Sequence, residues 1–172
     1  KSTPLDHDFE SRSFGFFMGR ERAMFLPISV FYRLYNGVLG RPFQSDLKWP
    51  ELLNVEGLDD SAVSLTTALA ASSSSMFKGS DYTIFVQTQS DWESHINARI
   101  SSRGMGTVNI EEFVGGTSPS VRMTLSSPLP GLTLGLLIAM WERAHGAPCS
   151  ANVVFTDKTA LISLHPRRVE YS

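Results

Sequence analysis

The chain has one cysteine, Cys149, only four histidines and almost no excess of either charge sign, and each scarcity removes a class of function. A lone thiol makes no internal disulfide framework. With histidines as scattered as His7, His95, His145 and His165, it also makes no multi-cysteine zinc or iron–sulfur site within one chain. The expectation is a cytoplasmic, reducing setting with no metal and no cofactor. Lys and Arg number 15 against 17 Asp and Glu, a net charge of −2 with a pI near 6.1. That balance provides no basic field for counterion release, so nucleic acid is not an expected partner. The longest apolar stretch, Leu129–Trp141, is interrupted by Pro130, Gly131, Thr133 and Gly135, and no membrane insertion is expected. No signal peptide is recognised. A start at Lys1 rather than Met is in keeping with removal of an upstream segment.

What is present is an ordinary globular composition, 42% hydrophobic and 19% charged, enough for one sizeable core. Residues 1–13 are polar and read as an exposed lead-in, leaving residues 14–172 as a single domain. Phe14, Phe16, Phe17, Met18 and Phe25 form an aromatic cluster expected in the core or at a subunit interface. Pro27 is placed to open a helix reaching about Val38, with Phe31, Leu34 and Tyr35 on its stripe. After a polar loop containing Trp49-Pro50, an Asp59 or Asp60 cap starts a helix carrying Val63, Leu65, Leu69 and Met76. Its continuation through Ala68, Ala70, Ala71 and Ser72–Ser75 has a face of small side chains. The serines read as a solvated helix end or a short loop in preference to a helix-packing seam.

The second half is patterned more strongly. Trp92, Ile96 and Ile100 recur at i, i+4, i+8 in a predicted helix Asp91–Arg103, which Gly104 ends in a left-handed cap. Strands are predicted over 81–87, 106–114 and 120–126, a helix over 132–145, and a closing hairpin of 152–156 with 160–165 around Asp157-Lys158-Thr159. The helix stripe runs Leu132, Gly135, Leu136, Ala139, Met140, Arg143. Gly131 and Gly135, one turn apart, are expected to let that helix lie close against the sheet or a symmetry mate. The fold class is α+β, an antiparallel sheet of about four strands covered by helices.

No catalytic motif is legible, and no catalytic residue is assigned. Ser75-Met76-Phe77-Lys78 fits S-x-x-K, but the companion motifs of serine acyl-transferring enzymes are missing. Gly104-Met105-Gly106 follows a helix and precedes a strand, the reverse of a dinucleotide fingerprint. Glu111 and Glu112 should lie on opposite strand faces, which denies them a paired acid–base role. Glu142 reads as solvated, and Cys149 as a small buried residue without a local base.

Gly104-Met105-Gly106-Thr107-Val108-Asn109-Ile110, then Ser120–Ser126, Leu129-Pro130-Gly131 with Gly135-Leu136-Leu137, and the hairpin ending at His165 together resemble the 4-vinyl reductase domain family. More distantly they resemble the small subunits of TRAPP tethering complexes, which share that fold. The resemblance covers the C-terminal half only. It implies a dimeric, helix-covered sheet, often with a mostly apolar pocket between helices and sheet whose small ligand controls a partner. Family members that bind zinc place cysteines in the final hairpin. Ala151–His165 has none.

The resulting expectation is a non-enzymatic, small-molecule-binding regulatory domain of sensor type, acting as a homodimer on a protein partner. A small apolar or aromatic ligand would contact Trp92, Ile96, Met105, Phe113, Met123, Met140 and Trp141. Three tryptophans, six methionines and eleven phenylalanines supply adaptable apolar walls. The alternative is a scaffold or assembly subunit of a larger complex, working through its surfaces.

Overall fold

The structure, a computed structural model, describes residues 53–167 and the backbone of three short strands before them. Those strands, β1 (Phe9–Arg12), β2 (Gly15–Met18) and β3 (Glu21–Ala23), form an antiparallel three-stranded sheet in the order β1-β2-β3. The aromatic side chains of the Phe14–Phe25 cluster, the helix expected over 27–38 and the Trp49-Pro50 loop lie outside the described residues.

The remainder runs β4 (Leu53–Glu56), α1 (Asp60–Lys78), α2 (Gln89–Arg99), a 3-10 turn Ser101–Arg103, β5 (Thr107–Val114), β6 (Ser120–Ser126), α3 (Pro130–His145), β7 (Cys149–Phe155) and β8 (Ala160–Pro166). The fold is α+β, as expected. The main sheet has five strands rather than about four, in the order β4-β7-β8-β6-β5, and it is mixed: β4 pairs parallel to β7 while all other pairs are antiparallel. Since β8 is antiparallel to both of its neighbours, β6 and β7 run parallel with β8 between them. Helix α3 is the crossover of this split β-α-β unit.

Each helix begins for a local chemical reason. Asp59 caps α1, its Oδ1 accepting from Ala62 N at 2.9 Å. Thr88 and Asp91 form a reciprocal capping box on α2. Pro130 sits in the first turn of α3, where its missing N–H costs nothing. Gly104 takes φ +70° to close the 3-10 turn, confirming its reading as a cap.

Strand alternation directs Val121, Met123 and Leu125 of β6, Ala160, Ile162 and Leu164 of β8, and Cys149, Ala151 and Val153 of β7 to one buried face. Helix α3 is covered by this face on one side and by α1 on the other. It is accordingly buried all round from Thr133 to Trp141 rather than along one stripe. The glycines of α3 do bring a helix close, but the partner is α1 rather than the sheet or a symmetry mate. A Cβ on Gly131 would lie 3.0 Å from the Thr66 carbonyl oxygen, and one on Gly135 would fall inside Ala70 and Ser73.

That contact overturns the reading of the serine run. Ser73 and Ser74 are buried, and Ser73 Oγ donates to the Leu132 carbonyl oxygen at 2.8 Å across the seam. Met76, expected on the core face, is 70% exposed. Residues 81–86 form no strand. Instead they pass as an extended loop that buries Ile84 and exposes Phe85. A bulge at Glu111 interrupts the β5–β6 register, and both Glu111 and Glu112 reach Arg122, at 3.2 and 3.9 Å. The expectation of opposite faces fails because the bulge inserts one residue. Glu142 is not solvated: its side chain is 13% exposed, pairs with Lys78 at 2.7 Å and accepts from Cys149 N at 3.2 Å.

Candidate functional site

The residues singled out for ligand contact come together. Trp92 and Ile96 of α2, Met123 of β6, and Met140 and Trp141 of α3 are buried in a single apolar cluster, with Met105 and Phe113 packed against it. Trp141 is its centre. Its ring meets Trp92 edge-on at 5.6 Å, Phe113 at 6.5 Å and His145 at 4.1 Å between centroids. His145 follows Trp141 by four residues, so one turn of α3 stacks the two rings. Sequence reasoning counted His145 only among the scattered histidines, although the i, i+4 aromatic spacing was there to read. Burial lowers its pKa below the ordinary value of 6.5, favouring neutral imidazole.

The indole Nε1 atoms of Trp92 and Trp141 and the Nε2 atom of His145 are buried without a hydrogen-bond partner. These groups would ordinarily be paired, because a buried donor lacking an acceptor costs about 1–3 kcal/mol. Met105 is held at the border of the cluster by a polar knot: Thr133 Oγ1 and Ser127 Oγ both donate to its carbonyl oxygen, at 3.1 and 2.6 Å.

Beside the cluster, Tyr82 and His95 were not picked out as site residues. The Tyr82 hydroxyl meets His95 Nδ1 at 2.9 Å, while His95 Nε2 lies 3.2 Å from the Phe85 carbonyl oxygen. The Arg99 guanidinium lies 3.6 Å from the Tyr82 ring centroid. No sequence motif joins these residues, which the loop before α2 assembles. Asp91, with His95 on α2, is held below the usual carboxylate range by the Thr88 and Gln87 amides it accepts from.

The S-x-x-K pair has other employment. Ser75 is exposed and Lys78 is bound to Glu142. Cys149 is buried, and desolvation, followed by the Glu142 carboxylate, pushes its thiol from 9.0 up to about 12. Because the native state holds this proton more tightly than the unfolded chain, stability is full below about pH 9 and falls as pH rises toward 12. Native protein at pH 8 is expected to resist iodoacetamide, and urea-unfolded protein to react at once; rapid native labelling would contradict the buried placement. Replacing Cys149 with Ala should flatten the alkaline loss of stability. Among the described residues no group of three or more His, Cys, Asp or Glu side chains is placed to hold a metal ion, and no helix is long and apolar enough to cross a membrane.

No protein-family model matches the chain, and a search of curated proteins returns no match.

Proposed function

We propose that this domain binds a small apolar or aromatic ligand at the Trp92–Trp141 cluster and acts as a regulatory dimer rather than as an enzyme. The supporting observation is the pair of indole N–H donors, Trp92 Nε1 and Trp141 Nε1, buried within an aromatic cluster without acceptors. A planar molecule bearing a carbonyl acceptor would pair a donor that the protein leaves unpaired and would bury its own rings among Trp92, Phe113 and Trp141. The resemblance of the C-terminal half to 4-vinyl reductase domains favours the same reading.

Flavone and 1,4-naphthoquinone test it, because both combine aromatic rings with carbonyl oxygens. Saturable quenching of tryptophan emission and a raised midpoint of thermal unfolding are expected, both weakened in Trp141→Phe, which keeps a ring and loses the donor. If neither probe shifts unfolding and native mass spectrometry of the purified protein shows no bound small molecule, the reading fails. Sedimentation at micromolar concentration should give a dimer.

The scaffold reading keeps one observation of its own. Val154 and Leu161, 40% and 37% exposed, are cross-strand neighbours on the outer face of the main sheet. A dimer that survives Trp141→Phe but dissociates on Leu161→Lys would favour surface assembly.

A further inference from the structure

At the end of the main sheet away from the β7–β8 turn, a recess of about 640 Å³ is lined by Thr117, Ser118, Ser120, Ser150, His165 and Arg167. The sheet register explains why these residues meet. Ser150 pairs with His165, and Val121 with Leu164, so Ser120, His165 and Ser150 fall in one row across β6, β8 and β7. Their neighbours Val121, Leu164 and Ala151 are buried on the inner face. Alternation therefore sends this row to the outer face, across the sheet from the aromatic cluster. The β5–β6 loop, turning through Gly116 at φ +89°, brings the Thr117 and Ser118 hydroxyls alongside. Arg167 N donates to the Pro148 carbonyl oxygen at 2.9 Å, which fixes the backbone bearing the guanidinium at the rim.

The chemistry of the lining is one-sided. Beside two prolines, Pro119 and Pro166, it holds four hydroxyls, an imidazole and a guanidinium, and no carboxylate. Among the described residues none of these six side chains makes a hydrogen bond or ion pair, whereas other cations of the sheet and helices are engaged: Arg122 with Glu111, Lys78 with Glu142. Hydroxyls and a planar guanidinium fork are the donors that recognise a tetrahedral oxyanion. The chain's net charge of −2 makes a general basic field an unsuitable explanation, so the preference is local to this recess. Its volume lies in the range of organic-ligand sites and exceeds what one inorganic phosphate fills.

We propose that this recess binds the phosphate of a phosphomonoester, with Arg167 and His165 as the charged and imidazole contacts and the serine and threonine hydroxyls completing the oxyanion shell. The site is separate from the aromatic cluster and stands whether or not that cluster takes a ligand.

Calorimetric titration with inorganic phosphate and with ribose 5-phosphate tests it, alongside cosedimentation with phosphatidylcholine vesicles doped with phosphatidic acid. The first two are expected to bind saturably and in competition. Arg167→Ala should weaken binding roughly tenfold or more, the loss of a charge-assisted contact. His165→Asn should weaken it less, and Lys158→Ala, at the opposite end of the β7–β8 hairpin, should leave it unchanged. Arg167→Lys, which keeps the charge but loses the fork, should fall between wild type and Arg167→Ala. Since neither the Arg167 nor the His165 side chain holds another residue, thermal unfolding of these variants should match the parent. Vesicle binding displaced by inorganic phosphate supports the proposal and assigns a lipid headgroup. Ribose 5-phosphate binding without vesicle binding supports it and assigns a soluble phosphomonoester. Saturation by none of the three probes, or an equal loss in Lys158→Ala, overturns it.

Discussion

Replacing Gly135 with Ala is expected to destabilise the protein by about 1–3 kcal/mol, and Gly135→Leu by more, although either residue is a better helix former than glycine by about 1 kcal/mol. The reason is the approach of α1 to α3. A Cβ at position 135 would overlap the Ala70 carbonyl oxygen and Ser73 Oγ and would lie 2.7 Å from the Ala70 carbonyl carbon. Two of these atoms are helix backbone, so no rotamer change relieves the overlap and the helices must separate. Separation would also lengthen the 2.8 Å bond from Ser73 Oγ to the Leu132 carbonyl oxygen and open the layer against Ala70, which is fully buried. At Gly131 the nearest atoms to a Cβ, Leu69 Cβ and the Thr66 carbonyl oxygen, are 3.0 Å away. Gly131→Ala should therefore cost less than Gly135→Ala. Urea unfolding of the three variants gives the order directly, as a fall in midpoint with little change in slope. A Gly135→Ala variant more stable than the parent would mean that the two helices do not touch there.

This seam also marks where sequence patterning stopped being informative. Strands β6 and β8 were legible because apolar residues alternate against polar ones along them, and α3 because a proline and a following glycine bracket a long apolar run; β7, expected over 152–156, starts at Cys149, its buried face opening on the small residues Cys149 and Ala151. Beside Ala62, Leu65, Ala68, Ala70 and Phe77, the buried face of α1 includes Thr66 and Ser73, which a hydrophobicity pattern assigns to solvent. They are buried because glycines on another helix admit them, and that partner is distant in the chain. The false strand over 81–87 has the converse cause. Tyr82, Ile84 and Val86 alternate as a strand would, but their backbone finds no neighbouring strand, and side chains from α2 and α3 hold it instead. Strand β4 went unseen since Leu53-Asn54-Val55-Glu56 is too short to show a period and its partner β7 lies almost at the other end of the domain. The residues assigned to a ligand did gather in space, because large apolar side chains on α2, β5, β6 and α3 share one core. The unpartnered indole nitrogens within it, the Tyr82–His95 pair and the hydroxyl-lined recess are products of packing and register, which no local pattern encodes.

Arg143→Met is expected to cost about 2–3 kcal/mol, and Arg143→Lys about 1–2 kcal/mol, through the end of a helix to which Arg143 does not belong. Helix α1 ends at Lys78 without a left-handed cap: Gly79 has φ −76°, its N–H turns back to Phe77 and Ser75, and Ser80 N and Oγ both donate to the Phe77 carbonyl oxygen, at 3.0 and 2.7 Å. Further donors to this terminus come from α3. Arg143 Nη2 donates to the Phe77 and Lys78 carbonyl oxygens at 3.2 and 2.9 Å, and Nη1 to those of Ser80 and Tyr82 at 2.8 and 2.9 Å. The guanidinium also lies 4.8 Å from the centroid of the Phe77 ring, and its charge faces the negative end of the α1 dipole. One planar fork thus joins the α1 terminus, the 81–86 loop and α3. An ammonium keeps the charge but cannot span four carbonyls, which sets lysine between arginine and methionine. The bonds are partly exposed and water replaces some of them, so the total is well below the sum of four charged hydrogen bonds. Urea unfolding measures the loss. Amide exchange should locate it in the last turn of α1 and in residues 80–86, with the β6–β8 amides protected as in the parent. A methionine variant within about 0.5 kcal/mol of the parent, with exchange unchanged in that turn, would reduce the clamp to a surface contact.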